Sequence, residues 1–400
     1  MSRADAPPID VAERVLRILD EGRYTATYKQ AVLVALLDLC LEATNDKGAP
    51  PVSLTTRQLA QKVCALYWPH TRVWGTRGRV LVQNRSGAAD TVALGGGLLA
   101  KIRVLREALE AESPGTVSLA SLAAVRDERY ERLIDEIEWT LVEMPLPKLQ
   151  RIGERNPEWL YRLSWRDRDE RDPAHEDKSV VREGDFRAYQ RESSRRPENR
   201  IHGRQKKSQF NNTIDFQPGV AAAFVRLHAL LRPYILRHWA SHVVALNQLP
   251  DDEVMGFLFE HERTDTGPVR RPLIELQHHR CFYCGDSLRG LVHVDHFIPW
   301  ARHPDNGLHN LVAADERCNG AKRDYLASVA HLQRWRARAQ SRHEALHRIA
   351  TDTRWEQGAE RIAGVARAIY LSLPAELPLW QRGRDFEPSD PDALRSVLVA

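Results

Sequence analysis

Cys281 and Cys284 form a C-x-x-C pair followed by Gly285, and Cys318 comes 34 residues after Cys284. No other feature of this chain restricts its fold so tightly. Two thiolates presented on one tight turn suit a single tetrahedral ion. A bare C-x-x-C would also suit a redox pair. A second C-x-x-C would put its first cysteine at position 315, where this chain has Asp315. Carboxylate oxygen binds zinc as well. The expected zinc set is therefore Cys281, Cys284, Asp315 and Cys318, with His293 as the rival fourth ligand. Cys40 and Cys64, the remaining two of five cysteines, lie in apolar helical stretches and read as small core residues. The odd count argues against a disulfide framework. Met1 to Ile9 lacks the basic start and apolar stretch of a secretory signal, so a cytoplasmic protein is expected.

A second polar constellation lies between the cysteines. Val292-His293-Val294-Asp295-His296-Phe297-Ile298 alternates enough for a short strand, ended by Pro299. Asp295 and His296 are adjacent, so on a regular strand they face opposite ways. A turn or bulge there would bring both to one site. Asn319 follows Cys318 and is expected on a helix that includes Lys322. Oxygens from Asp295 and Asn319 suit a hard ion such as Mg²⁺ (or Mn²⁺). His296 is then a candidate general base for a water beside a phosphate.

The run Val294-Asp295-His296-Phe297-Ile298-Pro299, with Asn310-Leu311-Val312 and Cys318-Asn319-x-x-Lys322, resembles the HNH endonuclease signature. The resemblance implies a ββα-metal unit, two strands and a helix around one divalent ion. By position, Asp295 resembles the first metal ligand, His296 the general base and Asn319 the second ligand. Asn310 resembles the residue that fixes the loop and orients the histidine. Cys281, Cys284 and Cys318 resemble the structural zinc ligands found in many members. Asp315, where a Cys or His is common, departs from the pattern. Tyr28-Lys29, Trp239 to Asn247 and His331-Leu332-x-x-Trp335 loosely resemble multi-domain bacterial HNH proteins.

The rest of the chain reads as mainly α, an α+β protein whose small ββα unit sits in the C-terminal third. Residues 1–150 are expected to form a helical domain. Two helices fall in 9–44, a loop at Asp46 to Val52, and a capping box at Thr55-Thr56-Arg57-Gln58 opens a third helix. Such short helices suit either a DNA-reading helix-turn-helix or a plain bundle. Gly95-Gly96-Gly97 lacks a following Lys-Ser or Lys-Thr and reads as a turn. Helical pattern returns over 99–143, with a break near Ser113-Pro114-Gly115. Residues 151–215 read as a polar and basic linker or surface excursion. Residues 216–275 are a helical region in which Pro233 should kink or break a long helix. The ββα unit takes 276–330, and C-terminal helices fill 331–400, two of them within 331–373.

Net charge is only +4, but its distribution is uneven. Arg195, Arg196, Arg200, Arg204, Lys206 and Lys207 face only Glu198, and Lys322 to Arg348 is similarly basic. Clustered positive charge suits a polyanion, although a run of charge is also what a solvated surface looks like. Lys322, Arg323, Arg334 and Arg338 are the candidate backbone-holding residues. No run of 18 apolar residues exists, so no membrane span is expected. The expected reaction is metal-dependent phosphodiester hydrolysis in DNA. RNA carries the same linkage, and restriction, defence and mobile-element processing all suit it. The alternative is a zinc-stapled nucleic-acid-binding module without catalysis. The sequence carries no code for target specificity, oligomeric state or a partner protein.

Overall fold

The computed structural model describes residues 5–22, 25–75, 78–85, 89–112, 119, 122–123, 127–152, 158–163, 165, 186–191, 210–249, 253–259 and 265–399. The basic stretch 195–207, most of the 151–215 linker and the break at 113–115 lie outside the described residues. The chain divides into two compact units, Met1–Cys40 with Pro51–His261, and Leu41–Pro50 with Glu262–Ala400. It is mainly helical with small sheets.

In the first unit, α1 (Pro8–Glu21) starts with proline in its first turn, where the missing N–H costs no hydrogen bond. It buries Val11, Val15, Ile18 and Leu19. Helix α2 (Tyr28–Glu42) is apolar nearly all round and buried accordingly. After β1 (Ser53–Thr55), α3 (Thr56–Tyr67) is opened by the expected capping box. Thr55 Oγ1 accepts from Gln58 N at 3.1 Å, and Gln58 Oε1 accepts from Thr55 N at 2.9 Å. Next come α4 (Gly97–Glu112) and α5 (Glu128–Glu143). Arg57 of α3 is buried against α5 and pairs with Asp135 at 2.6 Å and with Glu131. Strands β2 (Tyr161–Leu163) and β3 (Thr213–Phe216) complete an antiparallel sheet of order β1-β3-β2.

Helix α6 (Val220–Asn247) runs unbroken through Pro233, so the proline does not end it. Leu231, Ile235, Leu236 and Trp239 are buried on both sides of the proline. Apolar packing there offsets the one backbone hydrogen bond that proline removes.

The second unit holds the cysteine cluster. Helix α7 (Gly267–Leu276) leads into it, followed by the antiparallel hairpin of β4 (Val292–His296) and β5 (Leu311–Asp315). Helix α8 (Glu316–Lys322) follows at once and packs on both strands, giving a ββα unit. Val269 and Leu273 of α7 meet Leu311 and Ala313 of β5 in one core, with Leu346 and Ala350.

Beyond lie α9 (Val329–Ser341), α10 (His343–Asp352) and α11 (Ala359–Leu371), three helices where two were expected. The extra boundary falls at Arg342, which leaves helical geometry between α9 and α10. An unanticipated hairpin, β6 (Pro378–Arg382) with β7 (Asp385–Pro388), precedes α12 (Pro391–Leu398). Among the described residues no helix is long and apolar enough to cross a membrane.

Candidate metal centre and active site

The turn after α7 presents the first two thiols. Gly285 N donates to Cys281 O at 3.0 Å, and Gly285 sits at φ +77°, where a side chain would be strained. Cys318 arrives from the first turn of α8. Asp315 is the N-cap of that helix, and its Oδ1 accepts from Cys318 N at 2.8 Å. Its Oδ2 accepts from Cys284 Sγ at 3.1 Å. Donor atoms of Cys281, Cys284, Asp315 and Cys318 all lie within 4.8 Å of one another. His293, the rival ligand, is not in this cluster.

A hydrogen bond from the Cys318 thiol lowers the Cys281 pKa to about 6, while burial raises Cys284 to about 11. Burial acts against the Asp315 carboxylate, but the Cys318 N–H and the neighbouring thiols hold its pKa below the usual carboxylate range. Three sulfurs and one carboxylate oxygen gathered at one point are a donor set that fits a divalent metal.

The β4–β5 register is regular to the end of β4, with Asp295 opposite Val312 and His296 opposite Leu311. The chain bends only at Phe297 and Ile298. Asp295 and His296 therefore point to opposite faces of the strand, and the bend follows the pair rather than separating it.

Asp295 turns to α8 and the knuckle. Its Oδ2 accepts from Tyr283 Oη at 2.5 Å and pairs with Lys322 Nζ at 2.9 Å. Lys322 also donates to His296 O at 2.8 Å and has no exposed surface. Burial first, and then the Asp295 charge, push the Tyr283 phenol far above its ordinary pKa, so it remains a donor. Asn319 precedes Lys322 by three residues on α8 and is half-buried.

His296 turns to the loop that follows. Its Nε2 lies 2.9 Å from Asn306 Oδ1, and Trp300 packs edge-on at 5.2 Å. Asn310, fully buried, ties that loop together. Its Oδ1 accepts from Ile298 N at 2.8 Å, and its Nδ2 donates to Ile298 O at 3.2 Å and Asp305 O at 3.0 Å. Asp305 accepts in turn from Gly307 N at 2.7 Å and from Arg361 Nε of α11 at 2.6 Å.

The four basic candidates differ in placement. Arg323 is exposed. Arg334 is exposed too, but its Nη1 donates to the carbonyls of Phe282 and Tyr283. Lys322 and Arg338 are buried; Arg338 donates to the carbonyls of Leu311 and His309, both at 2.7 Å. Sequence reasoning passed over Tyr283, Asn306 and the Asp305–Arg361 pair. Tyr283 was hidden inside the C-x-x-C, and Pro304-Asp305-Asn306-Gly307 reads simply as turn residues.

Lys322→Met is expected to destabilise the second unit by about 3–5 kcal/mol, because it leaves the half-buried Asp295 charge without its cation. Thermal unfolding of the purified chain measures this. Unchanged melting would show that Asp295 does not depend on Lys322.

Residues 281–328 match the family model for HNH endonuclease. No curated protein and no solved structure matches the chain. The family match supports a nuclease of the HNH type, acting on nucleic acid with a divalent metal.

Proposed function

We propose that the chain is an endonuclease that hydrolyses phosphodiester bonds in DNA, with His296 as general base and one catalytic Mg²⁺ or Mn²⁺. The observation that supports this reading is the ββα unit, in which Asp295 is held by Tyr283 of the cysteine turn and Asn319 follows Cys318 on α8, while His296 at the end of the same strand faces the loop at Asn306. A zinc ion on Cys281, Cys284, Asp315 and Cys318 would staple the unit. The catalytic ion would be held by Asp295 and Asn319, and would offset charge on the scissile phosphate and the leaving oxygen.

The chain's own residues supply the rest. Tyr283 and Lys322 fix one carboxylate oxygen of Asp295 and so orient the other. His296 Nε2 lies 2.9 Å from Asn306 Oδ1, and a neutral imidazole donating there would take the proton of the attacking water at Nδ1. Asn310 holds the loop that carries this partner. Arg323 and Arg334 are the exposed candidates for the phosphate backbone. Such contacts add affinity without sequence information.

One observation favours the non-catalytic alternative, a zinc-stapled binding module. The Asp295 carboxylate already has a lysine and a tyrosine on Oδ2, which a purely structural aspartate would also have.

Incubating the protein and Mg²⁺ with end-labelled duplex DNA, single-stranded DNA and RNA tests the reading. DNA should be cut, leaving 5′-phosphate and 3′-hydroxyl ends that a ligase rejoins. Cutting of RNA alone would overturn the substrate assignment. Salt-sensitive binding of every substrate without cleavage would favour the binding module.

A further inference from the structure

Helix α9 and the knuckle line an open pocket of about 370 Å³ that borders Cys281 but not Asp295, His296 or Asn319. Arg280, from the knuckle, lines it together with Arg334, Arg338 and Arg342. Its apolar wall includes Leu276 and Phe282. No carboxylate lines it among the described residues.

The arginines are graded in depth. Arg280, Arg334 and Arg342 are exposed, whereas Arg338 is only 8% exposed. The Arg338 guanidinium donates to two carbonyls, but its Nε is buried with no hydrogen-bond partner. Burial without a counter-charge lowers its pKa to about 10. Arg334 and Arg338 also lie over the Phe282 ring, at 5.9 and 5.8 Å.

Like charges four apart on a helix repel, and Arg334, Arg338 and Arg342 follow that spacing. The negative end of the α9 dipole accounts for cations in the last turn, Arg338 and Arg342. It does not account for Arg334, or for Arg280 converging from another element. Arg280 donates to Gly285 O, Arg334 and Arg338 to backbone carbonyls, and Arg342 contacts His278, so their hydrogen-bond partners are uncharged. An anion between the four would supply the counter-charge.

We propose that this cavity holds one nucleotide of the nucleic-acid strand. Its phosphate would lie among the four arginines, and its sugar or base against Leu276 and Phe282. Fixed guanidinium forks suit phosphate oxygens, and an apolar wall suits the uncharged part of a nucleotide. The proposal rests on the nuclease reading only for the source of that nucleotide.

The test is fluorescence anisotropy with a labelled 20-residue DNA duplex over a salt series, with magnesium withheld so that no cutting occurs. The variant is Arg280→Ala with Arg342→Ala, both exposed, compared at the melting temperature and zinc content of wild type because Arg280 Nη1 donates to Gly285 O in the cysteine turn. The control is Arg270→Ala with Arg289→Ala, two exposed arginines outside the cavity. The cavity variant should bind about tenfold more weakly than wild type, with a salt slope lower by about 1–2. The control should stay within about twofold. Equal losses in both variants, or none in the cavity variant, would overturn the proposal. A deoxynucleoside monophosphate titrated by calorimetry separates the sources. If it binds wild type and not the cavity variant while duplex binding is unchanged, the cavity takes a free nucleotide and the strand proposal falls. Magnesium plays no part, so a cavity-dependent binder that never cuts DNA would sink the nuclease reading and leave this proposal standing.

Discussion

Cys318→Ser is expected to empty the cysteine cluster of its metal and to melt the second unit at a much lower temperature. The cluster joins elements that are distant in sequence, the turn at 281–284 and the start of α8. Tyr283, which holds Asp295, sits between two of the ligands. Structural zinc contributes on the order of 10–16 kcal/mol of binding to small domains. The second unit has a core of its own, around Leu273, Leu311 and Ala313, so only part of that should appear as lost stability. A loss of about 3 kcal/mol or more, a fall of about 10 °C in melting temperature, is the expected size. Metal analysis should show about one zinc per chain in wild type and far less in the variant. A variant that kept both its zinc and its melting temperature would show that packing alone holds the knuckle. Asp315→Cys is the informative companion. It should keep the metal through a fourth thiolate while losing about 1 kcal/mol of helix capping at α8.

The second large effect is expected at His296. Its side chain reaches into the loop at Asn306 and Trp300. The bond from Lys322 goes to its backbone carbonyl instead. His296→Ala should therefore remove the base and leave the Lys322–Asp295–Tyr283 network and the zinc cluster in place. Loss of a positioned general base lowers a rate by about 10²–10⁴-fold. DNA affinity without magnesium should be unchanged, which separates a lost proton acceptor from a lost fold.

The legible parts of this molecule were those whose signal is local. The thiol spacing, the capping box at Thr55 and the strand around Val294 each lie within a few residues, and each appears in the structure. Lys322 reads in sequence as part of the signature and as a cation for the nucleic-acid backbone. Only the fold shows that α8 turns it inward onto Asp295. Arg338 is a similar case, one arginine among several until strand β5 supplies its carbonyl partners. Pro233 reads locally as a break, but burial along α6 overrode it. The sheet order β1-β3-β2 pairs residues 53–55 with 213–216, across more than a hundred residues that carry no pairing signal. The β6–β7 hairpin was more accessible, because Gly383 at φ +54° between two short runs is a turn signal in plain sight.

The proposed nuclease is tested by cleavage of supercoiled plasmid by wild type and by His296→Ala, matched for zinc content and melting temperature, with Mg²⁺ or Mn²⁺ and without either. Wild type should nick or linearise the plasmid only with metal, and the variant should do so at a rate at least about 10²-fold lower. Equal rates in the two proteins would contradict the role given to His296. No cleavage by wild type in either metal, with DNA binding intact, would contradict the nuclease itself.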